Sequence, residues 1–411
     1  MWLAYANIWN QLVYGIATIY VARQLNPSAF APIAIVLSTI PIAVTIADWG
    51  TNSIYTRELS AGRLDKQLWF SLLRRQIKVA ATISVLTFLI LSLMVPLTLA
   101  ALTSLAVISL QYFQSSQVLL RSTDQFLVTA RLIAISRLPM LLLPIVAQWA
   151  QEWLPQVFIG AIAIGHMQAG LVLHHKSKAL RTITTGAQST KYPSHWNQSG
   201  RAGWIPILTQ LRGLDISIWN SIAGTMITGN YGAVVKWGQP TEILSQSAVA
   251  VEYVRWSKTT KVRELFRISS AVKLQLGLSL IASAVLAIFG DVLASRLLGD
   301  DYSYAGKMLQ MVGIASTLST ITTFLLYCLL ALQAEGLVAK VTAISVLIQL
   351  VSLIILATAF KSTLAGPIAY SISLIVAIGF FSRTLFVLSQ SQETNFLNSD
   401  NNPEFGVRPQ Q

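Results

Sequence analysis

Apolar residues dominate the chain in blocks about twenty positions long, separated by short polar stretches. Twelve blocks can be drawn, at roughly 2–22, 30–52, 77–97, 99–120, 127–149, 155–175, 203–228, 231–256, 270–292, 305–331, 337–359 and 364–388. A helix of ~20 apolar residues crosses a ~30 Å hydrocarbon core, and the alternation of a transmembrane barrel strand is missing. The pattern predicts an all-α polytopic membrane protein of about 12 transmembrane helices. The longest polar interruption, 176–202, follows the sixth block and is rich in Ser, Thr, Gln and Lys. It divides the chain into an N-terminal six-helix lobe (1–175), a cytoplasmic linker (176–202) and a C-terminal six-helix lobe (203–388). The lobes are expected to surround a central cavity. Residues 389–411, with Asn, Asp, Gln and Pro, are expected to form a disordered cytoplasmic tail.

Composition sharpens this picture. Only 11% of the 411 residues are charged, against ~25% in soluble domains, which excludes a soluble enzyme. Cys328 is the sole cysteine, so no intrachain disulfide or cysteine metal site can form. His174, His175 and Lys176 read as a helix end at the membrane surface, and no metal or other cofactor is expected.

The net charge of +13 is unevenly placed. Arg57, Arg63, Lys66, Arg74, Arg75 and Lys78 follow block two; Lys176, Lys178, Arg181, Lys191 and Arg201 follow block six; Arg255, Lys258, Lys261, Arg263 and Arg267 follow block eight. The loops after blocks 1, 3, 5, 7, 9 and 11 offer little beyond Arg23, Arg296 and Lys361. Short basic loops stay in the cytoplasm, so both termini are expected there. The excess then reports topology and contact with anionic lipids, not nucleic acid. Between 57 and 76, leucines at near-helical spacing fit either a helix lying on the inner leaflet or a solvated loop.

Polar residues inside the blocks carry the candidate chemistry, because a charge in hydrocarbon costs at least ~2.5 kcal/mol unless it faces a cavity or partner. Asn7, Asn10, Gln11 and Tyr14 share one helical face, either as interhelical fasteners or as the lining of a polar cavity. Asp48 closes block two, within reach of water or Arg57, as an ion pair or an ion-coupling group. Arg131 can snorkel to the surface, whereas Arg137 lies too deep and is expected to face the interior. Arg212 and Asp215 in block seven can pair locally at i, i+3. Block eight holds Lys236, Gln239, Glu242 and Glu252, and block eleven Lys340. Arg137, Arg212 and Lys236, with Arg131 and Lys340 as lesser members, form a candidate cationic cavity for an anionic substrate. The guanidinium fork matches two phosphate oxygens at once, which makes pyrophosphate a plausible ligand; a carboxylate fits too. Asp48, Asp215 and Glu242 are the ion-coupling candidates. Pro41 and Pro240, at corresponding places in the two halves, point to bent helices beside the cavity.

Three ordered motifs add a resemblance. The first is Ala22-Arg23-Gln24-Leu25 through Phe30, then Asp48-Trp49-Gly50 and Arg57-Glu58. The second is Leu214-Asp215, Gly224, Gly229-Asn230-Tyr231-Gly232, Lys236 and Gln239-Pro240; the third is Phe289-Gly290, Leu298-Gly299-Asp300-Asp301-Tyr302 and Ala305. Over residues 5–388 the chain resembles the Wzx-type oligosaccharide and polysaccharide flippases of the multidrug/oligosaccharidyl-lipid/polysaccharide exporter (MOP) superfamily. Asn26 and Ala31 stand where that family usually has glycine, and Asn tolerates the left-handed turn conformation.

The resemblance implies a non-enzymatic transporter of the cytoplasmic (inner) membrane, probing no chemistry of its own. It would move undecaprenyl-pyrophosphate-linked oligosaccharide units from the inner to the outer leaflet by ion-coupled alternating access. A polysaccharide polymerase and glycosyltransferases are the implied partners of a monomeric protein. The alternatives within the superfamily are a multidrug-cation antiporter and a peptidoglycan-precursor flippase. A cation exporter calls for a cavity dominated by carboxylates.

Overall fold

The computed structural model describes residues 2–60, 66–123, 125–179, 195–256 and 262–400. The first half contains α1 (Trp2–Gln24), α2 (Pro27–Asp48), α3 (Thr51–Ser60), α4 (Lys66–Leu91), α5 (Leu97–Ser122), α6 (Phe126–Ile135), α7 (Leu143–Trp149) and α8 (Leu154–Ala179). The second contains α9 (His195–Leu211), α10 (Leu214–Ala223), α11 (Thr225–Val235), α12 (Gln239–Trp256), α13 (Val262–Leu265), α14 (Ser270–Leu298), α15 (Ala305–Ala331), α16 (Glu335–Thr358) and α17 (Ala365–Asp400).

Each of the twelve apolar blocks is helical, but not each is one continuous helix. Eight stretches are long and apolar enough to cross a membrane by themselves. The exceptions have physical reasons. α1 carries the amide stripe, α4 begins with Lys66, Arg74, Arg75 and Lys78, and blocks seven and eight are broken into the short helices α9 to α12. Block five is broken as well, into α6, a 3₁₀ turn over Leu138–Leu142 and α7. Pro139 and Pro144 sit in the opening turns of those last two pieces, where a missing N–H is harmless. The chain is thus a polytopic membrane protein of two helical lobes. Within the first, α5 packs on α8, α4 and α2; within the second, α14 packs on α15 and α16 on α17.

Local chemistry sets the breaks. Asn26 is extended (φ −72°, ψ 162°), and its side chain accepts the N–H of Ala29 at 2.8 Å, capping α2 with Pro27 at the first position. The left-handed turn expected of Asn26 is therefore not formed. Gly224 does need positive φ (82°), and the turn it makes between α10 and α11 falls earlier than the block boundary drawn from hydropathy. Gly229 to Gly232 consequently lie inside α11. Pro41 is within α2, whereas Pro240 is at the second position of α12 and bends no continuous helix.

Two further expectations are corrected. Leu73 and Trp69 of α4 are buried against Ile54 and Tyr55 of α3, so this stretch is packed rather than lying free on the leaflet or in solvent. α17 continues to Asp400, so the first part of the expected disordered tail is helical. Residues 401–411 and most of the linker, 180–194, lie outside the described residues.

The lobes meet along α2, which touches α9, α10 and α11, and along α1, which touches α11, α12 and α14. At the end where α2 begins the approach is close. A Cβ on Gly229 would stand 1.7 Å from the Pro27 carbonyl oxygen, and one on Gly232 would stand 2.1 Å from Ala34 Cβ. Beside them the Tyr302 hydroxyl donates to the carbonyls of Ala22 (2.7 Å) and Leu25 (3.1 Å), joining the loop after α14 to the end of α1. Burial pushes this phenol well above its ordinary pKa, so it stays a donor. At the opposite end Trp49 meets Trp204 edge-on, with ring centroids 5.1 Å apart.

Candidate functional site

Three cavities lie in series between and beside the lobes. The first, of about 360 Å³, is walled by the α1 stripe (Asn7, Asn10, Gln11, Tyr14), α2, α5, Arg137 and His166, and reaches Lys236 and Gln239 of the other lobe. The second, of about 210 Å³, lies on the C-terminal side, among Arg212, Asp215, Tyr231, Glu242, Gln349 and Tyr370. Both share Pro41, Gln210, Lys236 and Gln239. The third, of about 390 Å³, is bounded by Asp48, Asn52 and Thr56, and shares Gln114 and Arg121 with the first.

Arg137 is held in the first cavity by its own lobe. Its residue follows directly on α6, where the helix gives way to the 3₁₀ turn. Its Nε donates to Asn10 Oδ1, and the guanidinium lies 5.1 Å from the centre of the Tyr14 ring. The residue is 8% exposed, and Nη1 is buried without a hydrogen-bond partner. An unsatisfied charged donor of this kind costs free energy, which an anion would recover only when the packing over Nη1 opens. Arg121 joins it from the end of α5, hydrogen-bonded among the described residues to the neutral amide of Gln117. Lys236, in the 3₁₀ turn between α11 and α12, completes the set. The lining of this cavity contains three cations and no carboxylate.

The C-terminal cavity is balanced instead. Arg212 donates through Nη1 to Gln349 Oε1 (3.1 Å) and Ser373 Oγ (2.8 Å), and through Nη2 to Ser345 Oγ (2.8 Å). Its charge lies 5.5 Å from the Tyr370 ring centre. Asp215 Oδ2 accepts from Tyr231 (3.0 Å) and Gln349 (3.2 Å). Glu242 Oε1 accepts from Ser319 (3.1 Å) and Tyr370 (3.0 Å). The expected local pair of Arg212 with Asp215 does not form: the Asp215 N–H still reaches the Arg212 carbonyl at 3.1 Å across the turn between α9 and α10, but the guanidinium is turned to Gln349, Ser345 and Ser373. Gln349 bridges the two residues instead.

Other expectations divide cleanly. Arg131 and Lys340 are exposed on the outside of their helices and line none of these cavities. Asp48 does not pair with Arg57, which engages Glu58. Its Oδ1 accepts from Gln76 (2.9 Å), the Asn52 N–H (3.1 Å) and Thr51 (3.2 Å), so it fastens the start of α3 while facing the third cavity. Arg121, Gln114, Gln117 and His166 were not anticipated. A signal existed for three of them: positions 114, 117 and 121 repeat on one helical face, as the α1 stripe does.

Two helical lobes enclose central polar cavities, a fold similar to that of solved structures of transporters of the MOP superfamily. An inward-facing multidrug resistance MATE transporter of that superfamily matches with a TM-score of 0.68 at 10% identity, over 92% of this chain and 96% of that one. The lipid II flippase MurJ, in an inward closed conformation, matches with a TM-score of 0.66 at 12% identity, over 99% and 93%. A MOP-superfamily transporter from Pyrococcus furiosus, described as having a binding pocket of reversed polarity, matches with a TM-score of 0.60 at 13% identity, over 94% and 95%. At such identities the likeness establishes the fold alone. No protein-family model and no curated protein matches the sequence.

Proposed function

We propose that the protein is a Wzx-type flippase, carrying undecaprenyl-pyrophosphate-linked oligosaccharide from the inner to the outer leaflet of the cytoplasmic membrane. The observation that carries this reading is the first cavity, which Arg121, Arg137 and Lys236 line together with no carboxylate among the described lining residues. Lys236 also borders Asp215 and Glu242 in the second cavity, and Arg121 borders Asp48 in the third. Fixed cations in a low-dielectric cleft concentrate an anionic headgroup. The planar guanidinium of Arg137 lines this cavity and has the fork shape that matches phosphate oxygens. The polyprenyl tail needs only the surrounding lipid, so the protein's task is confined to the charged, hydroxylated head.

The same cavity speaks against organic-cation cargo. Asp215 and Glu242 are the acids of the C-terminal cavity, and each already serves two protein donors. Alternating access would open the lobes in turn at the Gly229–Tyr302 end, taken as outer, and the Asp48 end, taken as inner, with both chain termini cytoplasmic. Asp48, Asp215 and Glu242 remain the groups through which an ion would couple.

The test is flipping of a fluorescent undecaprenyl-pyrophosphate oligosaccharide in liposomes. Arg137→Ala and Lys236→Ala are expected to lower the rate at least tenfold in folded protein. Wild-type rates in both would remove the charge-binding account. Transport of lipid II in place of the oligosaccharide lipid would move the assignment to a peptidoglycan-precursor flippase, and efflux of organic cations would overturn it.

A further inference from the structure

We propose that the C-terminal cavity is the subsite for the sugar joined to the pyrophosphate, and that it selects a neutral sugar over a uronic acid. This inference rests on the flippase reading. The two cavities share Lys236 and Gln239 at their junction. A phosphate held by Arg137 and Lys236 therefore places its next covalent neighbour in the 210 Å³ space beyond.

Once Lys236 is given to the phosphate, the charged hydrogen-bonding capacity left in that space belongs to an acid. Arg212, the cation proper to it, turns donors to Gln349, Ser345 and Ser373 and presents its face to Tyr370. Both acids use a single oxygen for their two protein donors: Oδ2 of Asp215 and Oε1 of Glu242. Glu242 Oε2 has no hydrogen bond among the described residues and is not among the buried atoms lacking a partner, which leaves it to the cavity. A carboxylate oxygen accepts and does not donate, so it suits a sugar hydroxyl. Gln239 and Gln246 add amide groups that can serve either way. A sugar carboxylate would meet like charge at Glu242 and Asp215, the kind of juxtaposition that excludes a wrong ligand. Phosphate and sugar thus fall to chemically different walls, and because Arg137 and Lys236 come from opposite lobes, a headgroup held by both would draw the lobes together around it.

The experiment uses the full-length protein in liposomes and two fluorescent polyprenyl-pyrophosphate lipids that differ only in the first sugar, a hexose or the matching hexuronic acid. The wild type is expected to flip the hexose lipid at least tenfold faster. Glu242→Gln, which keeps size but removes the charge and turns one acceptor oxygen into an amide donor, is expected to cut that preference at least threefold. Arg137→Ala is expected to slow both lipids and leave their ratio unchanged. Equal wild-type rates for the two lipids, or an unchanged ratio in Glu242→Gln, would overturn the sugar subsite while leaving the flippase reading intact. The wild-type ratio decides the matter if the variant fails to fold. If neither lipid moves in the wild type, the flippase reading itself falls, and the subsite with it.

Discussion

Gly229→Ala adds a methyl group at the tightest contact between the lobes. Its Cβ would lie 1.7 Å from the Pro27 carbonyl oxygen, 2.4 Å from the carbonyl carbon and 2.9 Å from Cα. All three atoms are backbone at the start of α2, so no side chain can swing aside. An ordinary C···O approach is ~3.3 Å, and α11 must therefore retreat from α2 by roughly 1.6 Å at this point. Overpacking of this kind costs ~1–3 kcal/mol. The cost falls only on the form in which this end is closed. The open population should accordingly rise by ~5–150-fold, the ratio those energies give. The assay is maleimide labelling of Ser38→Cys, a position lining the C-terminal cavity, in a Cys328→Ser background that removes the sole cysteine. Reagent that cannot cross the membrane, added from the side of the Gly229 end, should label Gly229→Ala correspondingly faster. Wild-type labelling in a folded Gly229→Ala protein would refute the close approach of α2 and α11 as the closure.

Tyr302→Phe removes the donor to Ala22 and Leu25; at ~0.5–1.5 kcal/mol per hydrogen bond, it should shift the same labelling in the same direction. Because burial raises that phenol's pKa, the neutral donor persists as pH rises through the usual tyrosine range, and wild-type labelling corrected for reagent chemistry should be flat from about pH 9 to 11, where an ordinary tyrosine ionises. Gln349→Leu strips a partner from both Arg212 and Asp215 and should destabilise the protein by ~1–3 kcal/mol in thermal unfolding. Arg131→Ala and Lys340→Ala, both on exposed positions, should leave flipping within twofold of wild type.

Hydropathy located the helices because the demand for about twenty apolar residues acts on every span alike. It could not show that blocks five, seven and eight are broken, since a short helix buried by its neighbours is as apolar as a spanning one. The glycines and prolines at those breaks, Gly213, Gly224 and Pro139, are ordinary in membrane helices as well. For the site, depth in the span set Arg137 apart as an interior residue, yet Arg131, counted with it in the candidate cavity, is exposed in the structure. Depth carries no information about helical face, and so Lys340 was grouped with residues it does not approach. Arg121 was overlooked because it falls where a span ends, although Gln114 and Gln117 continue its face inward. The Arg212–Asp215 pair failed because the guanidinium is taken by Gln349 and Ser345 of α16 and Ser373 of α17, partners that local spacing cannot show.

The central claim is that the cations of the first cavity hold phosphate. Equilibrium binding of a water-soluble oligosaccharide pyrophosphate to the purified protein, compared between wild type and Arg137→Ala, tests it most directly. A charge-assisted hydrogen bond contributes ~1.5–3 kcal/mol, so the account predicts a Kd at least tenfold weaker in the variant, with the difference shrinking as salt is raised. Equal affinities at low salt would contradict it.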